Sequence, residues 1–455
     1  MRIEVLPDDV LLEIFEFYMI MKISYRCARA GRSEVEAWQS LVHVCRRWRN
    51  VVLGSPRRLN LRLYCTLKTP VRDALDVWPA FPLVIAALLG FSPSTDNIIV
   101  ALGQRNRVRE IELYLTGSRS EEVLAVMQVS FPELTNLQLY SYGEPLPVIP
   151  DSFLGGIAPR LQSLKLFNIP FPGLPKLLLT ATRLVHLVLT NIPHSAYISP
   201  EAMVALLSVL SSLEALSLQF ESPQSLPDRE IRSLLTPKRS ILPALATFYF
   251  NGVNGYLEEL VARIETPQLG ELDITFNNSN HRWSRLVQFI NCTPTLRVLN
   301  EAHIIFCNRT SSVRLRSRTS NSDSISCREP DRWSSSSHPF SMVEDFYIEH
   351  RYPQLFLNDD AIENTVWLQI LLAFAMLKNL YLSKEFAPGI ATALQELVGS
   401  RITEGLLCLQ NIFVERLDEL SGSFQENIGQ FVAARQLSGH PIAIYVWDKR
   451  LHFVM

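Results

Sequence analysis

The side chains best suited to metal binding or nucleophilic catalysis are spread thinly along this chain. Its nine histidines and seven cysteines include no Cys-x-x-Cys pair, the spacing common in zinc sites and redox motifs. His43 falls in a predicted helix, His186 in a predicted strand and His440 in a predicted turn, so a metal site would need distant segments. The odd number of cysteines argues against a complete disulfide framework and favours reduced thiols. The cysteines are Cys27, Cys45, Cys65, Cys292, Cys307, Cys327 and Cys408.

Sequence motifs that carry catalytic chemistry are missing as well. The chain contains no phosphate-cradling GxxxxGK(S/T) or GxGxxG, no GxSxG nucleophile elbow and no HExxH zinc motif. We therefore expect no catalytic residues, no metal site and no cofactor. An enzyme whose site has an unfamiliar pattern stays open as a minor alternative.

Charge and hydrophobicity restrict the partners further. Of 455 residues, 43 are Lys or Arg and 45 are Asp or Glu, and this balance gives no general attraction to nucleic acid or an anionic membrane. Acidic residues interrupt the start MRIEVLPDDV, which argues against a secretory signal. The longest apolar stretches, such as residues 81–91, are shorter than the roughly 18 residues of a transmembrane helix. We expect a cytoplasmic or nuclear protein.

Two amphipathic helices are predicted near the N-terminus, on either side of residues 19–37. Leu6-Pro7-Asp8-Asp9 is typical of a helix start, because proline suits the first turn and carboxylates suit the positive end of the helix dipole. An apolar stripe with helical spacing follows in each helix. The first stripe is Leu11, Ile14, Phe15 and Tyr18, and the second is Leu41, Val44, Cys45, Trp48 and Val52.

The segments LPDDVLLEIF and LVHVCRRWRNVV resemble the F-box over residues 3–54. The opening, through SPRRLNLRLYCT and VWPAFPLVI, is similar to F-box proteins of mushroom-forming (basidiomycete) fungi. The resemblance implies a three-helix unit that binds the Skp adaptor of a cullin-based SCF ubiquitin ligase. Residues 19–37 depart from it, being longer and more basic than the usual link between helices. The adaptor-binding residues implied are Leu6, Pro7, Leu11, Ile14, Val44, Cys45 and Trp48; alternatively, the apolar ones only form the core of a helical cap.

An apolar motif of the form Leu-x-x-Leu-x-Leu recurs through the rest of the chain. It starts at 108, 134, 161, 184, 213, 245, 269 and 296, and again at 343, 377 and 409, although LRVLNE at 296 keeps only its first two positions. The early spacing is close to the roughly 20–29 residues of leucine-rich repeats, in which each unit gives one strand and a returning helix or loop. This predicts an α/β repeat protein, an irregular leucine-rich-repeat solenoid. A layered α/β fold is the alternative.

Alternation along the predicted strands leaves a second row of side chains facing away from the core. The row mixes aromatic and polar groups, a composition that suits protein recognition, although a merely solvated sheet face is the alternative. We predict that it binds a protein substrate. The candidate residues are Gln138, Tyr140, Lys165, Phe167, His186, Tyr249, Asp273 and Tyr381.

These observations predict three parts: an F-box at 1–54, a linker or N-terminal cap at 55–100, and a solenoid at 101–455. Serine dominates residues 308–341, which are predicted to be a disordered insertion. The final segment from Phe431 is predicted to form a helix, a Gly-His-Pro turn and a strand that closes the sheet. The function expected is non-catalytic: substrate recognition for an SCF ubiquitin ligase. The rival is a leucine-rich-repeat scaffold with a vestigial F-box.

Overall fold

The fold is given by a computed structural model of the chain. It divides into two compact units, unit 1 (Met1–Tyr197) and unit 2 (Ile198–Met455). The residues that the structure describes are 6–27, 37–55, 59, 61–67, 71–78, 80–87, 93–115, 119–142, 146–221, 239–276, 284–298, 301–307, 310–316, 343–350, 367–368, 371–372, 374, 376–398, 406–415 and 422–447.

Unit 1 begins with three helices, α1 (Asp8–Cys27), α2 (Ala37–Val42) and α3 (Arg46–Gly54). The acidic pair predicted at the helix start occupies the first turn of α1, where it favours the positive end of the dipole. Helix α3 begins after Cys45, whose Sγ accepts a hydrogen bond from the backbone N–H of Trp48 at 3.4 Å. The three helices share one core, formed by Leu11, Leu12, Phe15, Leu41, Val42, Val51, Val52, Leu59 and Leu61.

The rest of unit 1 is a parallel sheet with strands in chain order. The strands are β1 (Arg62–Tyr64), β2 (Leu83–Ala87), β3 (Val108–Leu115), β4 (Asn136–Ser141), β5 (Ser163–Phe167) and β6 (His186–Ile192). Each pairs in parallel with the next. Helices α4 (Val71–Val77), α5 (Thr95–Leu102), α6 (Ser120–Val126) and α7 (Leu174–Thr180) lie between them in sequence. Two 3-10 helices, Phe153–Gly156 and His194–Ala196, supply other connections.

Burial alternates along these strands as the motif predicts. Leu137 and Leu139 of β4 are buried, while Gln138 and Tyr140 between them are only half-buried. Leu137 lies beside Leu164 of β5, and Gln138 lies beside Lys165. One face of the sheet is therefore the hydrophobic core, and the other carries the mixed polar and aromatic row.

Unit 2 contains the remaining strands. They are β7 (Ala215–Phe220), β8 (Ser240–Ile241), β9 (Thr247–Gly252), β10 (Ile264–Glu265), β11 (Glu271–Phe276), β12 (Glu301–Cys307), β13 (Thr310–Arg316), β14 (Asp345–His350), β15 (Asn379–Leu382), β16 (Asn411–Glu415) and β17 (Ala443–Trp447). The main sheet has the order β7-β9-β11-β13-β12-β14-β15-β16-β17, while β8 and β10 form a separate parallel pair. The helices are α8 (Pro200–Leu207), α9 (Asn254–Val261), α10 (Ser284–Cys292), α11 (Ala387–Gln395), α12 (Gly422–Leu437) and the 3-10 helix Thr295–Val298.

Strand β13 departs from the parallel pattern. It follows β12 in a hairpin and inserts between β11 and β12, antiparallel to both. The prediction of a disordered insertion over 308–341 is therefore wrong for residues 310–316. Residues 308–309 and 317–341 lie outside the described part of the chain.

The α/β class with parallel strands is confirmed, and two sequence predictions need correction. Residues 55–100 were predicted as a linker or cap, but they contribute strands β1 and β2 to the same parallel sheet. The weak motif at 296 is not a strand: it forms the 3-10 helix, and β12 starts at Glu301. The helix, turn and final strand predicted from Phe431 are present as the end of α12 and as β17.

Two asparagines end strands in an unusual backbone conformation. Asn168 has a φ of 55° and Asn191 a φ of 53°, in the left-handed region that asparagine tolerates better than most residues. The backbone N–H of Asn168 donates to the carbonyl of Thr190 at 3.0 Å, so the turn stays attached to the next strand. Asn168 therefore turns the chain directly after β5, and Asn191 has the same backbone conformation one residue before the end of β6.

Candidate functional site

The starts of α1 and α3 are joined by one arginine. The Arg47 guanidinium donates to the Asp8 carboxylate, with an Nη2–Oδ1 distance of 2.7 Å and an Nε–Oδ1 distance of 3.0 Å. Its Nη2 also donates to the carbonyl oxygen of Leu6. Because Val44 and Cys45 immediately precede α3, these contacts bring them close to the Leu6-Pro7 segment.

Aromatic packing holds the helices together beneath this junction. The rings of Phe15 and Trp48 lie 4.6 Å apart between centroids in a tilted arrangement. Phe15 is fully buried, and Trp48 and Leu6 pack against the same core while remaining partly exposed. Trp48 thus contributes to the stability of the unit as well as to its surface.

An apolar stripe remains on the outer side of α1. Val10, Ile14 and Phe17 are spaced at i, i+4 and i+7, which places them on one helix face. Ile14 is 45% exposed and Phe17 is 66% exposed, unusual values for such large apolar side chains. Val44 is also exposed, at 58%. Three large apolar side chains of one helix therefore face away from the core.

The residues predicted to bind an adaptor differ in exposure, and Leu6 and Trp48 are partly exposed. Pro7, Ile14, Val44 and Cys45 are exposed, whereas Leu11 is 1% exposed and can only support the surface from below. Val10 and Phe17 extend the exposed stripe but were not among the predicted residues. The signal was present, because both lie at helical spacing from Ile14.

The predicted substrate residues of unit 1 share one sheet face. Gln138 lies beside Lys165, Tyr140 beside Phe167, and Ser163 beside His186. The Tyr140 hydroxyl donates to Gln138 Oε1 at 2.9 Å. Tyr140 also stacks on Tyr114 with ring centroids 4.6 Å apart. Burial raises the pKa of both tyrosines, and the nearby Glu112 carboxylate contributes, so both phenols stay neutral at physiological pH.

The three predicted residues of unit 2 lie on an equivalent face of its sheet. Tyr249 is exposed and lies beside Asp273, which is only 6% exposed. Asp273 is therefore poorly placed to contact a substrate directly. Tyr381 lies in a row of stacked rings, with centroids 4.1 Å from Tyr347 and 4.5 Å from Phe413.

Polar side chains line this aromatic row on both sides. Asn379 donates to the Asp345 carboxylate at 2.6 Å, and Asn411 donates to Asn379 at 2.7 Å. On the other side, His303 Nδ1 lies 3.2 Å from Glu349 Oε1. These bonds connect adjacent strands, so the side chains that form them help to hold the sheet together.

The face offers no arrangement that would hold a metal: no three His, Cys, Asp or Glu side chains converge among the residues that the structure describes. Within the same residues, no helix combines the length and the apolar character needed to cross a bilayer. No family model matches the chain, and a search of curated proteins finds no match either.

Proposed function

We propose that the chain is a non-catalytic substrate receptor of an SCF-type cullin ubiquitin ligase. In this proposal α1–α3 form an F-box that binds the Skp adaptor, and the strands from β1 onward form an irregular leucine-rich-repeat solenoid that binds a protein substrate. Such a receptor needs no nucleophile, because holding a substrate near the conjugating enzyme raises its effective concentration.

The observation that carries the adaptor proposal is the exposed stripe Val10, Ile14 and Phe17. A helix of a small core normally turns its large apolar residues inward, and α1 already does so with Leu11, Leu12 and Phe15. Apolar residues left on the opposite side match the anchor pattern by which a helix contacts a partner. Val44, beside the start of α1, adds to the same apolar character.

The repeat proposal is supported by the regularity of the sheet. Leu137, Leu164 and Leu187 lie side by side on β4, β5 and β6, and the intervening side chains occupy the other face. In unit 1 each strand pairs in parallel with the next strand of the series, as stacked repeats require. A continuous face of this kind suits an extended protein segment better than a small molecule.

The test is a binding measurement between the full chain and the Skp adaptor. The variant Ile14→Asp/Phe17→Ser removes two exposed anchors without touching the core. If both act as interface anchors of about 2 kcal/mol each, binding should weaken by more than about a hundredfold. Because neither side chain is buried, thermal unfolding of the variant should match that of the unchanged protein.

The matched control is Ile157→Asp/Leu179→Ser. Both residues belong to unit 1 but lie outside α1–α3, and each is 52% exposed, a value similar to those of Ile14 and Phe17. It should bind the adaptor like the unchanged protein. Absence of binding by the folded, unchanged chain would instead favour a scaffold with a vestigial F-box. Equal loss in both variants would show that the stripe is not the contact.

A further inference from the structure

A basic pocket lies at the amino-terminal edge of the unit 1 sheet, where its strands begin. Its cavity volume is about 390 Å³. Four arginines and one glutamate line it, namely Arg107, Arg109, Arg160, Arg183 and Glu133, together with Phe81, Thr135 and Gln162. Four guanidinium groups against one carboxylate give the pocket a net positive charge in a chain whose overall charge is −2.

The arginines are aligned by the backbone ladder. Thr135 donates its backbone N–H to Arg109 at 2.8 Å, Gln162 donates to Thr135 at 2.7 Å, and Val185 donates to Gln162 at 2.7 Å. A charged residue stands two positions before each of the four residues of this ladder; in chain order these are Arg107, Glu133, Arg160 and Arg183. They therefore form one row, with one charged residue on each successive chain segment.

The pocket retains cationic groups that its own residues do not neutralise. Arg160 pairs with Glu133. Arg109 and Arg183, by contrast, form no ion pair with any residue in the described ranges. The equivalent row in unit 2 is Ser212, Ala244 and Gln268, which carry no charge, so the basic row is not a general property of the repeat.

The extent of the arginine row indicates the form of the ligand. Neighbouring strands are about 4.8 Å apart, so a row across four segments spans about 14 Å, with arginines on the first, third and fourth segments and Glu133 on the second. Positive charges spread over this length can contact several single carboxylates along an extended peptide, whose alternate side chains are about 7 Å apart. A single phosphoryl group would contact only part of the row.

A nucleic-acid strand also carries spaced charges, but the lining does not favour it. Single-stranded nucleic acids are held by exposed aromatic rings that stack on the bases. Phe81 is the aromatic residue lining the pocket, and it is buried at 7% exposure. Guanidinium groups can form paired hydrogen bonds with carboxylates. Arg160 already donates one hydrogen bond to the Glu133 carboxylate.

We propose that this arginine pocket binds an acidic, carboxylate-rich segment of a partner protein. The inference rests on the proposed function in one respect: the partner is taken to be the substrate, which the pocket would select by its negative charge.

The test uses the full chain and a rhodamine-labelled peptide of about ten alternating Glu and Gly residues, long enough to span the row. Fluorescence anisotropy gives the affinity. The variant Arg109→Gln/Arg183→Gln removes the two arginines outside ion pairs and should weaken binding about tenfold, as expected for two partly exposed charge pairs. A Gln-Gly peptide should not bind the unchanged protein.

The matched control is Arg46→Gln/Arg72→Gln, which removes the same charge from two exposed arginines of unit 1 that do not line the pocket. Its affinity should stay within about twofold of the unchanged protein, because exposed charges outside the pocket are screened by salt. Equal weakening in both variants, or no binding of the Glu-Gly peptide, would overturn the proposal. Tighter binding of a phosphoserine peptide of equal charge, or of oligothymidylate, would overturn it too.

Adaptor binding separates this inference from the proposed function. The Arg109→Gln/Arg183→Gln variant should bind the Skp adaptor like the unchanged protein, because neither residue belongs to α1–α3. A chain that binds the adaptor but not the acidic peptide contradicts the pocket alone. A chain that binds the peptide through the two arginines but not the adaptor contradicts the ligase proposal alone.

Discussion

The guanidinium of Arg435 donates a hydrogen bond at 3.1 Å to the backbone carbonyl of Leu406, a residue whose φ is 56°. The same Nη2 reaches the carbonyls of Leu407 at 3.1 Å and Leu409 at 3.4 Å. Arg435 is 1% exposed, and burial lowers its pKa, although an arginine stays charged. A buried cation on α12 thereby satisfies the carbonyl groups of the turn before β16.

Replacing Arg435 with Met should destabilise unit 2. The substitution keeps the apolar stem but removes the donor that the three carbonyls share, at a cost of about 2–4 kcal/mol. The Leu406 carbonyl would still accept from the backbone N–H of Leu409. Urea unfolding followed by circular dichroism measures the change. As a control, Arg183→Met at an exposed position should change the free energy of unfolding by less than about 0.5 kcal/mol. Equal stability of the two variants would contradict the structural role of Arg435.

Gly252 occupies a site with no room for a side chain. A Cβ atom there would lie 2.8 Å from Phe220 Cδ2 and 3.0 Å from Phe250 Cζ, two rings of the core. Gly252→Ala should therefore cost about 1–3 kcal/mol through overpacking. Gly270→Ala is the control, because the nearest atom to its Cβ is 3.9 Å away. A thermal shift no larger at 252 than at 270 would show that the rings move aside easily.

Trp48 and Ile14 should respond differently to truncation. Trp48→Ala removes the ring packed on Phe15 and should destabilise the helical unit by about 2–4 kcal/mol. Ile14→Ala removes an exposed side chain and should have little effect on folding. Hydrogen exchange of α1 amides measures the local opening in each variant. Loss of adaptor binding in Trp48→Ala alone would then reflect unfolding, whereas loss in Ile14→Ala would reflect a lost contact.

The carboxylates beside Arg119 should titrate at unusually low pH. The Arg119 guanidinium lies 2.8 Å from both Asp96 and Glu122, and these hydrogen bonds lower the pKa of both carboxyl groups. Each ion pair stabilises the folded protein only while its carboxyl group is ionised. This stabilisation is therefore fully present above about pH 4 and is lost as pH falls through the lowered folded-state pKa. Arg119→Gln should raise both pKa values toward their ordinary range in a carboxyl NMR titration. Arg105→Gln should leave them unchanged, and a pKa unaffected by either substitution would show that the ion pairs do not form in solution.

Much of the sheet was predictable because the apolar motif acts through a simple geometric rule. The motifs at 134, 161 and 184 became β4, β5 and β6, since alternate leucines must enter one core. Strand β13 was not predictable from composition. Its segment TSSVRLR is rich in serine and arginine, and pairing with two neighbouring strands determines its conformation there.

The helix surface was harder to predict than the helix. Both Leu11 and Ile14 fit an apolar stripe, and periodicity alone does not say which side packs inward. The structure buries Leu11, Leu12 and Phe15 and leaves Ile14 exposed. The buried face of α1 is therefore rotated by part of a turn relative to the predicted stripe. The arginine row had a visible signal, because Arg107, Arg160 and Arg183 each directly precede an apolar motif.

The position of β13 affects how far unfolding of one part of the unit 2 sheet spreads to the rest. Strands β11 and β12 have the same direction but exchange no hydrogen bonds with each other, since each bonds instead to β13. Opening of the β12–β13 hairpin would remove the ladder on both sides of this point at once. We therefore expect that, once the hairpin opens, the strands from β7 to β11 and those from β14 to β17 can unfold independently of each other.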